Sequence, residues 1–192
     1  MKRTVLLLRA CYGFAAIFDA AMVGPMVSPD RSCGDFHPRV PQHDGKALRG
    51  SGGTMTFLET VRQVMSGDRP PAPLAALVGY RVTAVESGRA RVEVDASARH
   101  ANPMGTVHGG VICTIADTAM GAAYGATLGE GETFVTLELK INFLRPVQQA
   151  SLVADAVVVQ RGRSIGLAEC TVTDGDGRLV AKAMGTLITR RG

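Results

Sequence analysis

From Gly110 to Leu128 the chain reads GVICTIADTAMGAAYGATL, a proline-free run of about five helical turns with a single charged residue. Ala116, Ala119, Gly121, Ala122, Ala123, Gly125 and Ala126 make it small as well as apolar on nearly every side. A helix apolar all round is a buried one. Glycine inside a helix costs about 1 kcal/mol relative to alanine, so its repeated use points to close approach by another backbone or by a ligand. Such a helix has to be wrapped, and the remaining sequence must supply the wrapping.

What surrounds it is β-rich. Leu77–Glu86 and Arg89–Ala96 alternate apolar with charged residues around a Ser87-Gly88 turn, predicting a hairpin with one wet face. Runs at Phe134–Leu144, Ser151–Arg161, Ser164–Thr173 and Leu179–Thr189 predict further strands. Turn signals at Arg161-Gly162 and Asp174-Gly175-Asp176-Gly177 make the last three an antiparallel meander. Upstream, Phe57, Leu58, Val61, Val64 and Met65 recur at helical spacing before Gly67, and Pro70, Pro71 and Pro73 predict an extended connection. The expectation is an α+β roll over residues 55–192, a curved antiparallel sheet around one central helix.

Residues 1–54 read differently. Lys2 and Arg3 precede an apolar stretch, but Arg9 and Asp19 interrupt it, and Ala10–Phe18 is about half the roughly 20 residues a membrane-crossing helix needs. That length fits a secretory signal's apolar core. Residues 24–54 are rich in Gly, Pro, Ser, Arg and Asp without periodicity, the composition of a disordered tether. The preferred reading is an extension to a domain that starts at Met55, either disordered or preceding the true start of translation, with the cytoplasm as compartment.

Composition narrows the function. Trp is absent and only three Tyr and six Phe occur, so a base-stacking nucleic-acid platform has little to build with. Seven of the lysines and arginines and four of the acids precede residue 55, leaving fourteen against thirteen for the domain. That near-neutral balance implies no cationic face for a polyanion. Cys11, Cys33, Cys113 and Cys170 are far apart and form no CxxC pair, which argues against a disulfide framework and a zinc site.

Two features of the central helix carry chemistry. Asp117 stands among Ile115, Ala116, Ala119 and Met120, where a carboxylate must be paired, desolvated or lining a cavity. His108-Gly109-Gly110 opens the helix, where unpaired N–H groups and glycine let a substrate oxygen approach closely enough for oxyanion stabilisation. Gly109 and Asp117 lie eight residues apart, or about 12 Å along the axis. One helix cannot bring both to adjacent atoms of a substrate, so a shared site needs a second subunit. His100, His108 and Asp117 lack the spacing of a metal motif, and no metal is expected.

The sequence Asn102-Pro-Met-Gly-Thr-Val-His108-Gly109-Gly110, followed by Asp117 and by VTLELKINFLRP, resembles the hotdog-fold thioesterases of the PaaI type over most of residues 55–192. The resemblance implies hydrolysis of an acyl- or aryl-coenzyme A thioester, with coenzyme A as part of the substrate and no separate cofactor. It implies that Gly109 donates its N–H to the thioester oxygen, that Asn102 binds or orients the reacting group and that His108 supports the loop. Asp117 of a partner subunit is then nucleophile or general base, and Thr136 holds the attacking water. It also places the nucleotide near the basic turn Arg161-Gly162-Arg163-Ser164, making Arg163 and Ser164 candidates for phosphate contact. Gly110 is a further substrate contact, Gly121 and Gly125 leave room for the acyl group and Tyr124 closes that pocket. A homodimer or homotetramer follows, without nucleic-acid or membrane partners. The rival readings are a hotdog enoyl-CoA hydratase, for which no short loop holds both Asp and His, and a non-catalytic acyl-CoA sensor, which needs no Asp117.

Overall fold

A computed structural model describes residues 55–191, so the expectations for residues 1–54 fall outside the described residues. The alternating runs form six strands: β1 Tyr80–Glu86, β2 Arg89–Ala96, β3 Glu132–Phe143, β4 Ala150–Arg161, β5 Ile165–Asp174 and β6 Leu179–Arg191. All pairings are antiparallel, in the order β1-β2-β4-β5-β6-β3. The expected β4-β5-β6 meander is present, and β3 crosses over to the outer edge beside β6. Among the described residues three α-helices accompany the sheet: α1 Phe57–Ser66, α2 Pro73–Val78 and α3 Gly109–Gly125.

Helix α3 packs against all six strands, which only a curved sheet allows. Ile115, Ala116, Ala119, Ala123 and Tyr124 on it are fully buried, opposite Val92, Val94, Leu152, Val172 and Leu187 from the sheet. Each such Val or Leu contributes about 1.5–3 kcal/mol relative to an exposed one. The strand pattern follows from that single covered face, with β2 alternating buried and open positions along its length. This is the expected α+β roll.

Two boundaries differ from the sequence reading. Pro73 does not extend the chain but occupies the first turn of α2, where proline's missing N–H has no helical partner to lose. Gly79 then ends α2 with φ 83°, and β1 starts at Tyr80 instead of Leu77. Helix α3 stops at Gly125, short of Leu128. Among the described residues, no helix is long and apolar enough to cross a membrane.

Packing between α3 and the sheet pairs large side chains with glycines. A Cβ on Gly185 would stand 3.2 Å from Met120 Cε and 3.3 Å from the Glu138 carbonyl oxygen. One on Gly166 would run into the Tyr124 ring and lie 2.9 Å from the Gln160 carbonyl oxygen. The Tyr124 hydroxyl is held by Thr189 Oγ1 at 2.7 Å, so the ring cannot swing away without losing that partner. Gly166→Ala is therefore expected to destabilise the fold by about 1–3 kcal/mol, read as a lower urea midpoint with an unchanged slope; an unaltered midpoint would show that this contact has slack.

Candidate active site

The loop before α3 is organised by one side chain. Asn102 Oδ1 accepts hydrogen bonds from the N–H groups of Met104 (2.9 Å) and Thr106 (3.3 Å), while its Nδ2 donates to Thr106 Oγ1 at 2.8 Å. The loop is pinned at its base, where Val107 N–H meets the Val147 carbonyl at 2.6 Å and His108 N–H meets that of His100 at 2.8 Å. This delivers His108 to the N-cap of α3 in extended backbone. Its Nδ1 accepts the Gly110 N–H at 2.9 Å and its carbonyl accepts that of Val111 at 2.9 Å. Among the described residues no acceptor stands on the Gly109 N–H. Of the first amides of the helix, Gly109's is thus the one left for an incoming oxygen, at the positive end of the helix dipole. On the Cβ side of Gly109 stands the Phe143 ring, 3.1 Å from where a Cβ would be.

Asp117 is half-buried in the ninth position of α3. Thr136 Oγ1 donates to its Oδ1 at 3.0 Å. Thr136 is aimed there by β3, whose register with β6 shifts between Thr136 and Glu138; such a bulge re-aims the side chains beside it. The carboxylate borders two hollows. One is a cleft of about 820 Å³ between α1, β1, α3 and β3 that Thr136 also lines. The other is a shallower hollow of about 420 Å³ on the β3 side, shared with Cys113, Thr114 and Leu137. Burial pushes the Cys113 thiol up, and the negative charge of Asp117 one turn further on adds to that rise.

The structure thus joins Asp117 to Thr136 and uses Asn102 to order the turn that precedes His108 and Gly109, while Gly109 and Asp117 occupy separate positions along one rigid helix, about 12 Å apart by its rise. Other expected residues take different places. The Gly110 N–H is already bonded to His108, so it is not free for substrate. Gly121 lines the cleft beside Asp117, with Phe134 3.3 Å from where its Cβ would be, whereas Gly125 makes room for protein: a Cβ there would meet Phe57 and Phe134 at 2.5 and 2.9 Å. Tyr124 does not close the pocket. It is fully buried behind Phe134, with ring centroids 5.8 Å apart, and points at Thr189. Arg163 and Ser164 lie on the exposed β4–β5 turn, engaged only through their carbonyls with Arg191 and Thr189. His100 is buried; its Nδ1 accepts the Ser97 N–H, which leaves the hydrogen on Nε2 for the Val78 carbonyl at 2.8 Å. Among the described residues no three His, Cys, Asp or Glu side chains group as metal ligands.

Sequence reasoning missed Cys113, Phe143 and the part of α1. The four-residue spacing of Cys113 and Asp117 was a usable signal for the first; the ring over Gly109 depends on a strand partner and had none.

Residues 104–181 match the thioesterase superfamily. The chain is 30% identical to a variant of the phenylacetic acid degradation protein PaaI from Thermus thermophilus, covering 61% of this chain and 98% of that one with a TM-score of 0.57. It is 27% identical to a thioesterase from Haemophilus influenzae, over 72% and 93% of the two chains, with a TM-score of 0.62. A curated relative, 1,4-dihydroxy-2-naphthoyl-CoA hydrolase of Listeria monocytogenes, is 25% identical over 62% of this chain and 96% of its own.

The Cys113 thiol reports on Asp117. Removing the carboxylate's charge removes one of the two causes that raise the thiol's pKa, so Asp117→Asn should raise the thiolate fraction and speed alkylation of Cys113 by iodoacetamide at pH 8. Cys170, 1% exposed and pushed up to about 12 mainly by burial, should stay unlabelled in both proteins. Peptide mass spectrometry checks both, and an unchanged Cys113 rate would mean the two groups do not feel each other.

Proposed function

Because the chain belongs to the thioesterase superfamily, in its PaaI-type hotdog branch, we propose that it hydrolyses acyl- or aryl-coenzyme A thioesters to the free acid and coenzyme A. The observation that carries this reading is the Asp117 carboxylate at the cleft, oriented by a Thr136 hydroxyl 3.0 Å away. A mere ligand store has no use for a poised carboxylate beside a thioester.

The chemistry needs little more. As general base, Asp117 takes a proton from water while the water oxygen bonds to the carbonyl carbon, and the carbonyl π electrons move to oxygen. The Gly109 N–H stabilises that oxyanion. Collapse re-forms the carbonyl, breaks the C–S bond and expels coenzyme A thiolate, which recovers the proton. As nucleophile, Asp117 instead forms a mixed anhydride with loss of the same thiolate, and water then cleaves the anhydride. Thr136 positions the carboxylate, and water, in either form. Asn102 and His108 act by holding the loop that presents Gly109. Arg163 and Ser164 are the proposed contacts for the coenzyme's phosphates.

The active unit is a homodimer or a homotetramer built on it. The spacing of Gly109 and Asp117 along α3 calls for Asp117 of one protomer to face Gly109 of its partner. Edge strand β3 supports this: Leu137, Phe143 and Leu144 on or beside it are 56%, 53% and 55% exposed, a flat apolar edge that a monomer would be expected to protect. The free thiols of Cys113 and Cys170 fit the reducing cytoplasm.

Asp117→Asn should lower kcat for thiol release by about 10²–10⁴-fold while coenzyme A binding persists; undiminished turnover would remove the carboxylate from the mechanism. Thr136→Val, which leaves Asp117 without its hydroxyl partner, should cost about tenfold or more. Sedimentation of the active protein should give a dimer or tetramer, and full activity in a monomer would contradict the shared site.

A further inference from the structure

Helix α1 is built to persist and yet has no fully buried residue. Thr56 Oγ1 accepts the Glu59 N–H at 3.3 Å, the Glu59 carboxylate returns to the Thr56 N–H at 2.8 Å, and Gly67 ends the helix with φ 86°. Both ends are therefore satisfied locally. Among the described helices it alone has no buried residue. An amphipathic helix of a folded domain ordinarily spends its apolar stripe on the core. Here Phe57, Val61, Val64 and Met65 stand instead along the cleft of about 820 Å³. The opposite wall is α3 at Gly121 and Ala122, with Phe134 from β3, and the same cleft takes in Asp117 and Thr136.

We infer that this cleft is the acyl pocket, that α1 is its outer wall, and that the enzyme prefers medium- and long-chain aliphatic acyl groups. The inference rests on the thioesterase reading of Asp117. A thioester carbonyl set against Asp117 sends its acyl substituent into a space of the size that holds a whole small ligand. An acetyl group would leave that space to water and the α1 stripe uncovered. Each methylene that enters buries apolar surface on both chain and wall, worth about fourfold in binding. The wall that α1 contributes is mainly aliphatic, with methionine, whose flexible side chain adapts to a chain of variable shape. A rigid aryl group has no such freedom to adapt its shape.

The test is the ratio of kcat/KM for decanoyl-CoA to that for acetyl-CoA, measured by thiol release on the full-length protein, with hexanoyl- and phenylacetyl-CoA alongside. The wild type should rise about fourfold per methylene between acetyl and hexanoyl and favour decanoyl over phenylacetyl. Val64→Trp, which fills the cleft from α1, should cut the decanoyl-to-acetyl ratio by about tenfold or more. Arg62→Trp, on the exposed side of the same helix, should leave that ratio as it was. A flat chain-length profile, a phenylacetyl preference or a Val64→Trp ratio equal to wild type overturns the inference while leaving the thioesterase reading in place. If no acyl-CoA releases thiol, that reading fails, and the pocket is judged by calorimetry with two stable thioethers. Tighter binding of S-decyl-CoA than of S-ethyl-CoA, weakened in Val64→Trp, supports it, and equal binding of the two overturns it.

Discussion

Everything in this fold depends on a helix being allowed to approach a sheet more closely than ordinary side chains permit. Helix α3 achieves this by contributing little bulk of its own: Ala116, Ala119, Ala122 and Ala123 are buried with nothing beyond a methyl group. The bulk comes from a few large residues, each seated where a glycine removes the obstacle. Met120 lies against Gly185, Tyr124 against Gly166, Phe134 against Gly121, and Phe57 and Phe134 against Gly125. A glycine in a strand or helix sacrifices local stability, and the compensation is close packing, to which interiors owe much of their cohesion. The helix cost and the packing gain have to be considered together, because substituting either partner of such a pair leaves a clash or a void.

The same rigidity fixes the chemistry. A helix packed against six strands cannot bend to bring its first amide to its ninth side chain. The two groups therefore remain apart on the one helix, which is why the proposed site takes one of them from each of two copies. The loop ahead of the helix serves the same end. Asn102 saturates its own turn, His108 caps Gly110, and the Gly109 N–H is what remains. Caps normally satisfy as many end groups as they can; here the capping side chain takes the second amide and leaves the first.

How much of this was legible in the sequence varies by the kind of contact involved. The buried helix was legible because absence of bulk is a property of single residues, and Asp117 because one charge in an apolar run needs no partner to be noticed. All six strands followed from alternation. Helix α2 was missed because three prolines in four positions read as extended chain, although Pro73 at the first helical position is compatible with a helix. Tyr124 was assigned to the wrong side. At seven residues beyond Asp117 it shares that residue's helical face by periodicity, yet two turns of rise and the notch at Gly166 carry its ring behind Phe134. Periodicity gives a direction around the axis, and only the neighbours decide how deep a long side chain reaches. The role of Gly125 failed to be legible for the same reason: a missing side chain can make room for a ligand or for a ring, and the sequence does not distinguish them.

That distinction bears on where specificity can reside. With Phe134 set against Gly121 and Gly125, the inner wall of the cleft is made by residues that pack on α3, and changing them would disturb that packing. The outer wall is different. Helix α1 is stabilised by its own caps, the N-terminal one worth about 1 kcal/mol, and beyond Phe57, which packs on Gly125 and Phe134, none of its residues enters the core. Substitutions at Val61, Val64 or Met65 can therefore reshape the cleft without touching the sheet, the central helix or the carboxylate. On the proposed thioesterase reading, substrate range varies most readily through an element attached to the outside of the core, and among the described residues α1 gives the cleft such a wall.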